Sequence, residues 1–330
     1  MATPFAPAAE PRTVLTQIMD GFLVALANRD PHSLPLAETV RYTENGQQLA
    51  IGDGAWGTVT ALGGYRHDLI DSITETIATF ATIIEGQTHS ILVARITVID
   101  GKAGEIEVMI ARPDFMTRDG LMSQGPAKLN ESRQPDAHWF TPIPEAERMS
   151  REELRRVANL YFVGLEKNDG KGDYPFSDDC LRIENGARTT AVRDAANGNE
   201  PPEPAPPMDG EARADRSPYT PNFMAMSARQ QFETGYFAFV DRIRHRRFPI
   251  IDPERGIVFT FAFFDHSGTV RDYPLANGRI VTSSVDRPFT WEIGEAFKIE
   301  NGLITRIEAV MTPCPYGMPP NWPMMPGDIL

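Results

Sequence analysis

The sequence predicts an α+β protein made of two similar units, each a long helix packed on a strongly bent antiparallel sheet. Two observations carry this reading. Three segments recur in the same order in the two halves of the 330-residue chain, and each half runs from an amphipathic helix through a tight hairpin to long β-rich strands. Composition agrees: 41% apolar and 23% charged residues suit globular domains, and the length suits about two of them.

The first recurring segment is VRYTENG at 40–46, which resembles CLRIENG at 180–186, an offset of 140. The same offset carries Val14, Ile18, Phe22 and Ala25 onto Leu154, Ala158, Phe162 and Leu165, one face of a helix in each half. Ser150 and Glu153 have the spacing of a capping box and open the second of these helices. The second segment sets LID at 69–71 and TIATFA at 76–81 against IID at 250–252 and IVFTFA at 257–262, an offset of 181. The third sets IEVM at 106–109 against IEAV at 307–310, with Asp100-Gly101 matching Asn301-Gly302, an offset of 201. The rise from 140 to 181 to 201 places insertions of 41 and then 20 residues in the second half, the latter around 268–287.

Asn45-Gly46 and Asn185-Gly186 mark tight hairpin turns, since both positions of such a turn need a positive φ. Short helical or irregular segments follow, such as 227–239. Long strands are expected at about 72–84, 89–99 and 105–112, and again at 256–265, 290–299 and 303–312. The expected organisation is a first domain over 1–112, a linker over 113–149 and a second domain over 150–312. The second domain carries a Pro-rich insertion at about 192–225 and a loop at 267–289, and a Pro/Met-rich tail covers 313–330.

Charge and motifs narrow the function. With 32 Lys+Arg against 45 Asp+Glu, the net charge of −13 supplies no basic field for nucleic acid or an anionic membrane. Two cysteines, Cys180 and Cys314, exclude a disulfide scaffold and a Cys-based metal site, and the six histidines form no HxH, HxxxH or HExxH. No apolar run reaches the length of a membrane span, and the first residues lack the basic start and apolar stretch of a secretion leader, so a cytoplasmic location is expected. No GxSxG, P-loop or dinucleotide fingerprint is present; GDGAWG at 52–57 has glycines but no βαβ context. Neither a cofactor nor a metal is expected, which leaves acid–base chemistry.

The order of helix, hairpin, helical segment and long strands closing on IDGKAGEIE at 99–107 and IENGLITRIE at 299–308 resembles the NTF2-like, or SnoaL-like, cystatin-like cone fold. The resemblance spans about 12–112 and 150–312 and looks like a tandem branch of that superfamily. It implies a concave, mostly apolar pocket in each unit, and pairing through the sheets, so that two copies in one chain form an internal pseudo-dimer. The superfamily holds isomerases, dehydratases, aldol-type cyclases, epoxide hydrolases, lyases and non-enzymes, so the resemblance implies a pocket without choosing a reaction.

The second half is richer in reactive residues. Asp241-Arg-Ile-Arg-His-Arg-Arg247 offers an anion clamp, or else a solvated face pairing with carboxylates. Asp265-His266 ends an aromatic strand; His266 suits a general base, and also suits a polar turn. The expected catalytic set is His266 or Asp241 as base, with Tyr236, Arg242 and Arg244 holding a developing oxyanion. Tyr161, His245, Trp291 and Phe261 are expected to bind substrate. First-half candidates are Tyr42, Trp56, Tyr65, Arg66, His67, His89 and Arg95. The expected function is a cofactor-independent lyase, isomerase or hydratase acting on a small, partly apolar carbonyl or hydroxy compound in the second cone. A non-catalytic small-molecule binder and a scaffold using the Pro-rich segments are the rivals. A small molecule is the expected partner, a homodimer is open, and neither nucleic acid nor membrane is expected. Residues 197–221 and 313–326 are expected to lie over a cone mouth.

Overall fold

The computed structural model describes residues 10–113, 124–191 and 225–330, so the Pro-rich insertion and its expected role as a lid lie outside the described residues. The first half comprises α1 (Pro11–Asn28), β1 (Leu36–Glu44), β2 (Gln47–Leu49), one-turn α2 (Ala55–Thr58), β3 (Val59–Asp71), β4 (Thr76–Glu85), β5 (Thr88–Ile99) and β6 (Lys102–Ala111). Helix α3 (Gly125–Ser132) lies in the connection. The second half comprises α4 (Arg151–Leu165), β7 (Phe176–Glu184), β8 (Ala187–Arg188), α5 (Ala228–Glu233), β9 (Arg242–Asp252), β10 (Ile257–His266), β11 (Asp272–Pro274), β12 (Ile280–Thr282), β13 (Phe289–Glu300) and β14 (Leu303–Cys314).

Two six-stranded sheets result, ordered β2-β1-β6-β5-β4-β3 and β8-β7-β14-β13-β10-β9. Strand for strand the orders correspond, and the small β11–β12 hairpin falls in the 20-residue insertion. The sheets are mixed rather than wholly antiparallel: β1 runs parallel to β6, and β7 parallel to β14. The Glu-Asn-Gly segments make this pairing. Asn185 and Gly186 adopt φ of 45° and 76°, as the turn requires. The Asn185 side chain then continues the parallel ladder, donating to the Met311 carbonyl (3.0 Å) and accepting from the Met311 N–H (2.8 Å). Asn45 does the same against Ile110.

Ser150 caps α4, accepting from the Glu153 N–H (3.2 Å) while the Glu153 carboxylate accepts from the Ser150 N–H (2.9 Å). The apolar stripe of α1 packs Leu15, Phe22 and Leu26 onto the inner face of the first sheet, and α4 packs Leu154, Ala158 and Phe162 onto that of the second. The outer faces of the two sheets pack against each other. Phe80, Val93 and Met109 meet Phe259, Phe261 and Val310, with Phe80 edge-on to Phe259 at 5.7 Å. Each such side chain, fully buried, contributes about 1.5–3 kcal/mol.

Strands β3 and β9 were not expected as long strands. Gly63 and Gly64 interrupt the alternation of β3, whose register shifts between Leu62 and Arg66. In β9, His245 takes φ +51° at a bulge where the pairing slips between Phe261 and Phe263. The described part of the linker is also ordered structure. Asn130 of α3 accepts from the Gly64 N–H (2.7 Å) and Thr82 Oγ1 (2.5 Å). The backbone of α3 passes so close to the second hairpin that a Cβ at Gly125 would lie 1.7 Å from the Asn185 carbonyl oxygen. The tail crosses to the first half, where Trp322 Nε1 donates to Thr43 Oγ1 (2.9 Å), and returns to β9, where Arg246 and Ile329 exchange backbone hydrogen bonds of 2.7 and 2.9 Å.

Removing the Asn185 side chain leaves the N–H and C=O of half-buried Met311 in β14 without these partners. Asn185→Ala should therefore cost about 1–3 kcal/mol in urea unfolding, whereas alanine at the exposed Lys102 should change the midpoint little.

Candidate active site

The helix-covered face of the second sheet is hollow. A cavity of about 220 Å³ lies between α4 and the sheet. Helix α4 supplies Tyr161, β7 supplies Arg182 and Glu184, and β13 supplies Trp291, Ile293 and Glu295; Phe237, Phe239, Phe264 and Met311 make much of the apolar wall. The pleat of β13 sorts its residues. Ile293, Glu295 and Phe297 face α4, while Glu292, Gly294, Ala296 and Lys298 face the other sheet.

The ionisable groups are deeply buried. Glu295 is 1% exposed and its Oε2 has no hydrogen-bond partner among the described residues. Burial, and then the charge of Glu184, push its proton affinity up to about 8; the Tyr161 hydroxyl and Arg182 act in the opposite direction. Burial next to this carboxyl holds Tyr161 well above the usual phenol range. Arg182 is held rigidly. Its Nε donates to Thr189 Oγ1 (3.1 Å), its Nη2 donates to Gln231 Oε1, and it lies 3.6 Å from Glu184 Oε1. The cavity therefore holds a fixed cation, a phenol and two carboxyls in different environments, one of them a proton carrier near neutral pH.

The corresponding space in the first half is filled. The repeat offsets put Gly21, Tyr42 and Ala94 where the second half has Tyr161, Arg182 and Glu295. Trp56 is 1% exposed and packs edge-on against Phe22 (5.6 Å) and Tyr42 (6.5 Å). Glu44 is committed to the Tyr42 hydroxyl (3.1 Å), the Ala55 N–H (2.7 Å) and Arg112 (3.1 Å).

The expected site residues divide. Tyr161 and Trp291 line the cavity. His266 stands one ring away from it: it stacks on Phe289 (4.5 Å, 2° between planes) and on Phe239 (5.9 Å), and burial lowers its pKa to about 4. Asp241 caps a turn, accepting from the Ser267 N–H (2.5 Å) and Oγ (2.9 Å). Arg242 and Arg244 both bind Asp265, at 2.5 and 2.9 Å; burial raises this carboxyl, but Arg244, Thr290 and Arg242 together hold it below the usual carboxylate range. Tyr236 belongs to an aromatic cluster with Phe237 and Phe239 and accepts from Tyr273 Oη at its carbonyl (2.5 Å). His245 sits on the bulge, edge-on to Phe263 at 6.3 Å. Phe261 points to the opposite face of β10, into the packing between sheets, because strand side chains alternate. Thus Asp241, Arg242, Arg244, His245, Tyr236, His266 and Phe261 fall outside the cavity lining.

In the first half, Tyr65 and His67 converge on Glu308 of the second sheet at 2.8 and 2.6 Å, and Arg95 and Arg247 share Glu107. Arg66 pairs with Asp68 and Asp20, and His89 is exposed. A groove of about 440 Å³ lies between the halves. Most of its cations are paired with carboxylates, whereas the smaller cavity holds Glu295, one of two carboxyls whose proton affinity is raised to about 8, so the cavity is the stronger candidate for chemistry. Glu295 was readable as a carboxyl in the apolar phase of Trp291, Ile293, Phe297 and Ile299. Arg182 and Glu184 were hidden inside a segment that served only as a repeat marker. Among the described residues, no group of three or more His, Cys, Asp or Glu is placed to hold a metal ion.

A family model described as "Domain of unknown function (DUF8021)" matches residues 147–311, half of the chain. Among solved structures, the chain is similar to a candidate ketosteroid isomerase from Kribbella flavida DSM 17836, at 18% identity over 30% of this chain and 78% of that one, with a TM-score of 0.23. It is also similar to a de novo designed protein with a curved β-sheet, at 15% identity over 49% of this chain and 87% of that one, with a TM-score of 0.26. No curated protein matches.

Glu295, and Glu292 on the opposite face, each titrate at about 8 in the fold against an ordinary 4.5. A raised carboxyl pKa means that the folded state binds the proton more tightly. The resulting stability is complete below about 4.5 and is lost as pH rises to about 8. Glu295→Gln and Glu292→Gln should each flatten the fall in the urea midpoint between pH 5 and 8 by up to one proton's worth; a slope equal to the parent's contradicts the assignment.

Proposed function

The chain belongs to the DUF8021 family, and we propose that its two halves are NTF2-like units, the second a cofactor-independent acid–base enzyme of the lyase, isomerase or hydratase type. The substrate class is a small, partly apolar carbonyl or hydroxy compound held in the second cavity. The observation that carries this reading is the buried Glu295 carboxyl, with a proton affinity near 8, beside Tyr161 and the fixed Arg182 in an otherwise apolar cavity. The matching strand orders of the two sheets support the two-unit part.

In this reading ionised Glu295 removes a proton from carbon next to the carbonyl and later returns it at a neighbouring position or loses it with a leaving group. Arg182 faces the oxyanion that develops, and its hydrogen bonds to Thr189 and Gln231 preset it for that task. Tyr161 supplies a second donor as its link to Glu295 loosens. The apolar wall raises the basicity of Glu295 and excludes water. Because the base is mostly protonated at neutral pH, the rate should rise about tenfold per pH unit and level off near 8.

The experiment is solvent exchange. A panel of small cyclic and acyclic ketones is incubated with the protein in D₂O, and loss of C–H signal next to the carbonyl is followed by NMR. Glu295→Gln should slow exchange about 10²–10⁴-fold without lowering the melting temperature. His266→Ala and Asp241→Asn, outside the cavity lining, should cost less than about tenfold. If His266→Ala or Asp241→Asn abolishes exchange while Glu295→Gln leaves it intact, the base is wrongly placed. A panel member bound by parent and Glu295→Gln alike, with no exchange in either, would favour the non-catalytic binder, a reading that the apolar wall and the neutral Glu295 also accommodate.

A further inference from the structure

We infer that the groove between the two halves is a second ligand site, built for a small organic anion, a carboxylate or a phosphate, with an apolar body. The groove has a volume of about 440 Å³ and draws its walls from both sheets, α4 and the tail. Four arginines line it, Arg95, Arg151, Arg155 and Arg247, in a protein whose net charge is −13. Three are held in place. Arg95 donates to Glu105 (2.8 Å) and Glu107 (3.0 Å), Arg247 donates to Glu107 (2.5 Å), and Arg151 donates to Asp71 (2.7 Å). Arg247 is 5% exposed and its Nε has no hydrogen-bond partner among the described residues.

Arg155 differs from the other three. It lies one turn after Arg151 on α4, is half-buried, and has no ion pair or hydrogen bond among the described residues. The tail passes directly over it: a Cβ at Gly327 would lie 2.1 Å from Arg155 Nη1, and Gly327 takes φ +94°, a conformation that favours glycine. Glu105 and Asp328 also line the groove, but Glu105 is committed to Arg95, and both oxygens of Asp328 accept backbone N–H groups, from Phe248 (3.0 Å) and Met325 (2.7 Å). Arg155 is therefore the one of the four whose guanidinium has no hydrogen-bond or ion-pair partner among the described residues. Next to it lies apolar surface: Phe248, Pro323 and Met325, the last 63% exposed. A headgroup on Arg155, assisted by the free Arg247 Nε, and a body against Phe248 and Met325 would complete both.

The test is calorimetric titration of the full chain with phenyl phosphate, benzoate, inorganic phosphate and the neutral benzyl alcohol. Phenyl phosphate or benzoate should bind at least about tenfold more tightly than benzyl alcohol, and inorganic phosphate alone should bind more weakly than phenyl phosphate. Arg155→Ala should weaken the aromatic anion about 10–100-fold, as loss of a charged hydrogen bond does. Met325→Glu, at an exposed position, should weaken it similarly through repulsion. Arg156→Ala on the neighbouring exposed face and Glu295→Gln in the second cavity should leave it unchanged, which separates this site from the proposed active site. Equal affinity in the parent and Arg155→Ala, equal binding of benzyl alcohol, sensitivity to Glu295→Gln instead of Arg155→Ala, or no binding in the millimolar range overturns the inference.

Discussion

Two sheets packed outer face on outer face set the terms for the rest of this molecule. The contact buries Phe80, Val93 and Met109 against Phe259, Phe261 and Val310, and so leaves each inner face to its own helix. Strands β4, β5, β10 and β13 are thereby covered on both sides. Any polar side chain on them must find a partner or give up its charge. The polar side chains buried at or beside the contact mostly find partners, some across it and some within one half. Glu308 receives Tyr65 and His67, Glu107 receives Arg95 and Arg247, and Lys298, fully buried, donates to the carbonyls of Thr141 and Arg255. Glu292 and Glu295 lack an adequate partner, and burial drives both toward the protonated form.

The same constraint explains why one half is solid and the other hollow. With the outer faces spoken for, the inner face is where a half can vary without losing the contact between sheets. In the first half Trp56 fills that space, with Tyr42 and Phe22 against it. In the second, Arg182 and Glu295 replace Tyr42 and Ala94, Trp291 lines the cavity without filling it, and Gln231 and Thr189 hold the arginine in place. A buried arginine and a buried carboxyl both carry a desolvation cost, and a cavity of about 220 Å³ lies beside the two.

Much of the architecture could be read before any coordinates. The α4 cap, the four Asn-Gly and Asp-Gly turns, the last three strands of each half and their common order all follow from local chemistry repeated twice. Three features could not be read. The parallel pairing depends on the Asn45 and Asn185 side chains reaching a strand more than sixty residues away, which a turn motif does not announce. Strands β3 and β9 carry glycines and a bulge that break the two-residue period. The candidate cavity was half legible: Tyr161 and Trp291 fall on faces that the periodicity exposes, whereas the aromatic stack on His266 and the arginines paired with Asp265 are not announced by the sequence. Glu295 carried the clearer signal, a carboxyl in phase with four apolar residues of one strand.

The account rests on the protonation state of one side chain. Difference infrared spectroscopy of the parent against Glu295→Gln, titrated from pH 5 to 10, reads it directly through the carbonyl stretch of a neutral carboxyl. A protonated carboxyl band is expected at pH 6 in the parent, absent in Glu295→Gln and bleaching with a midpoint near 8. A carboxylate signature for Glu295 already complete at pH 6 would contradict it.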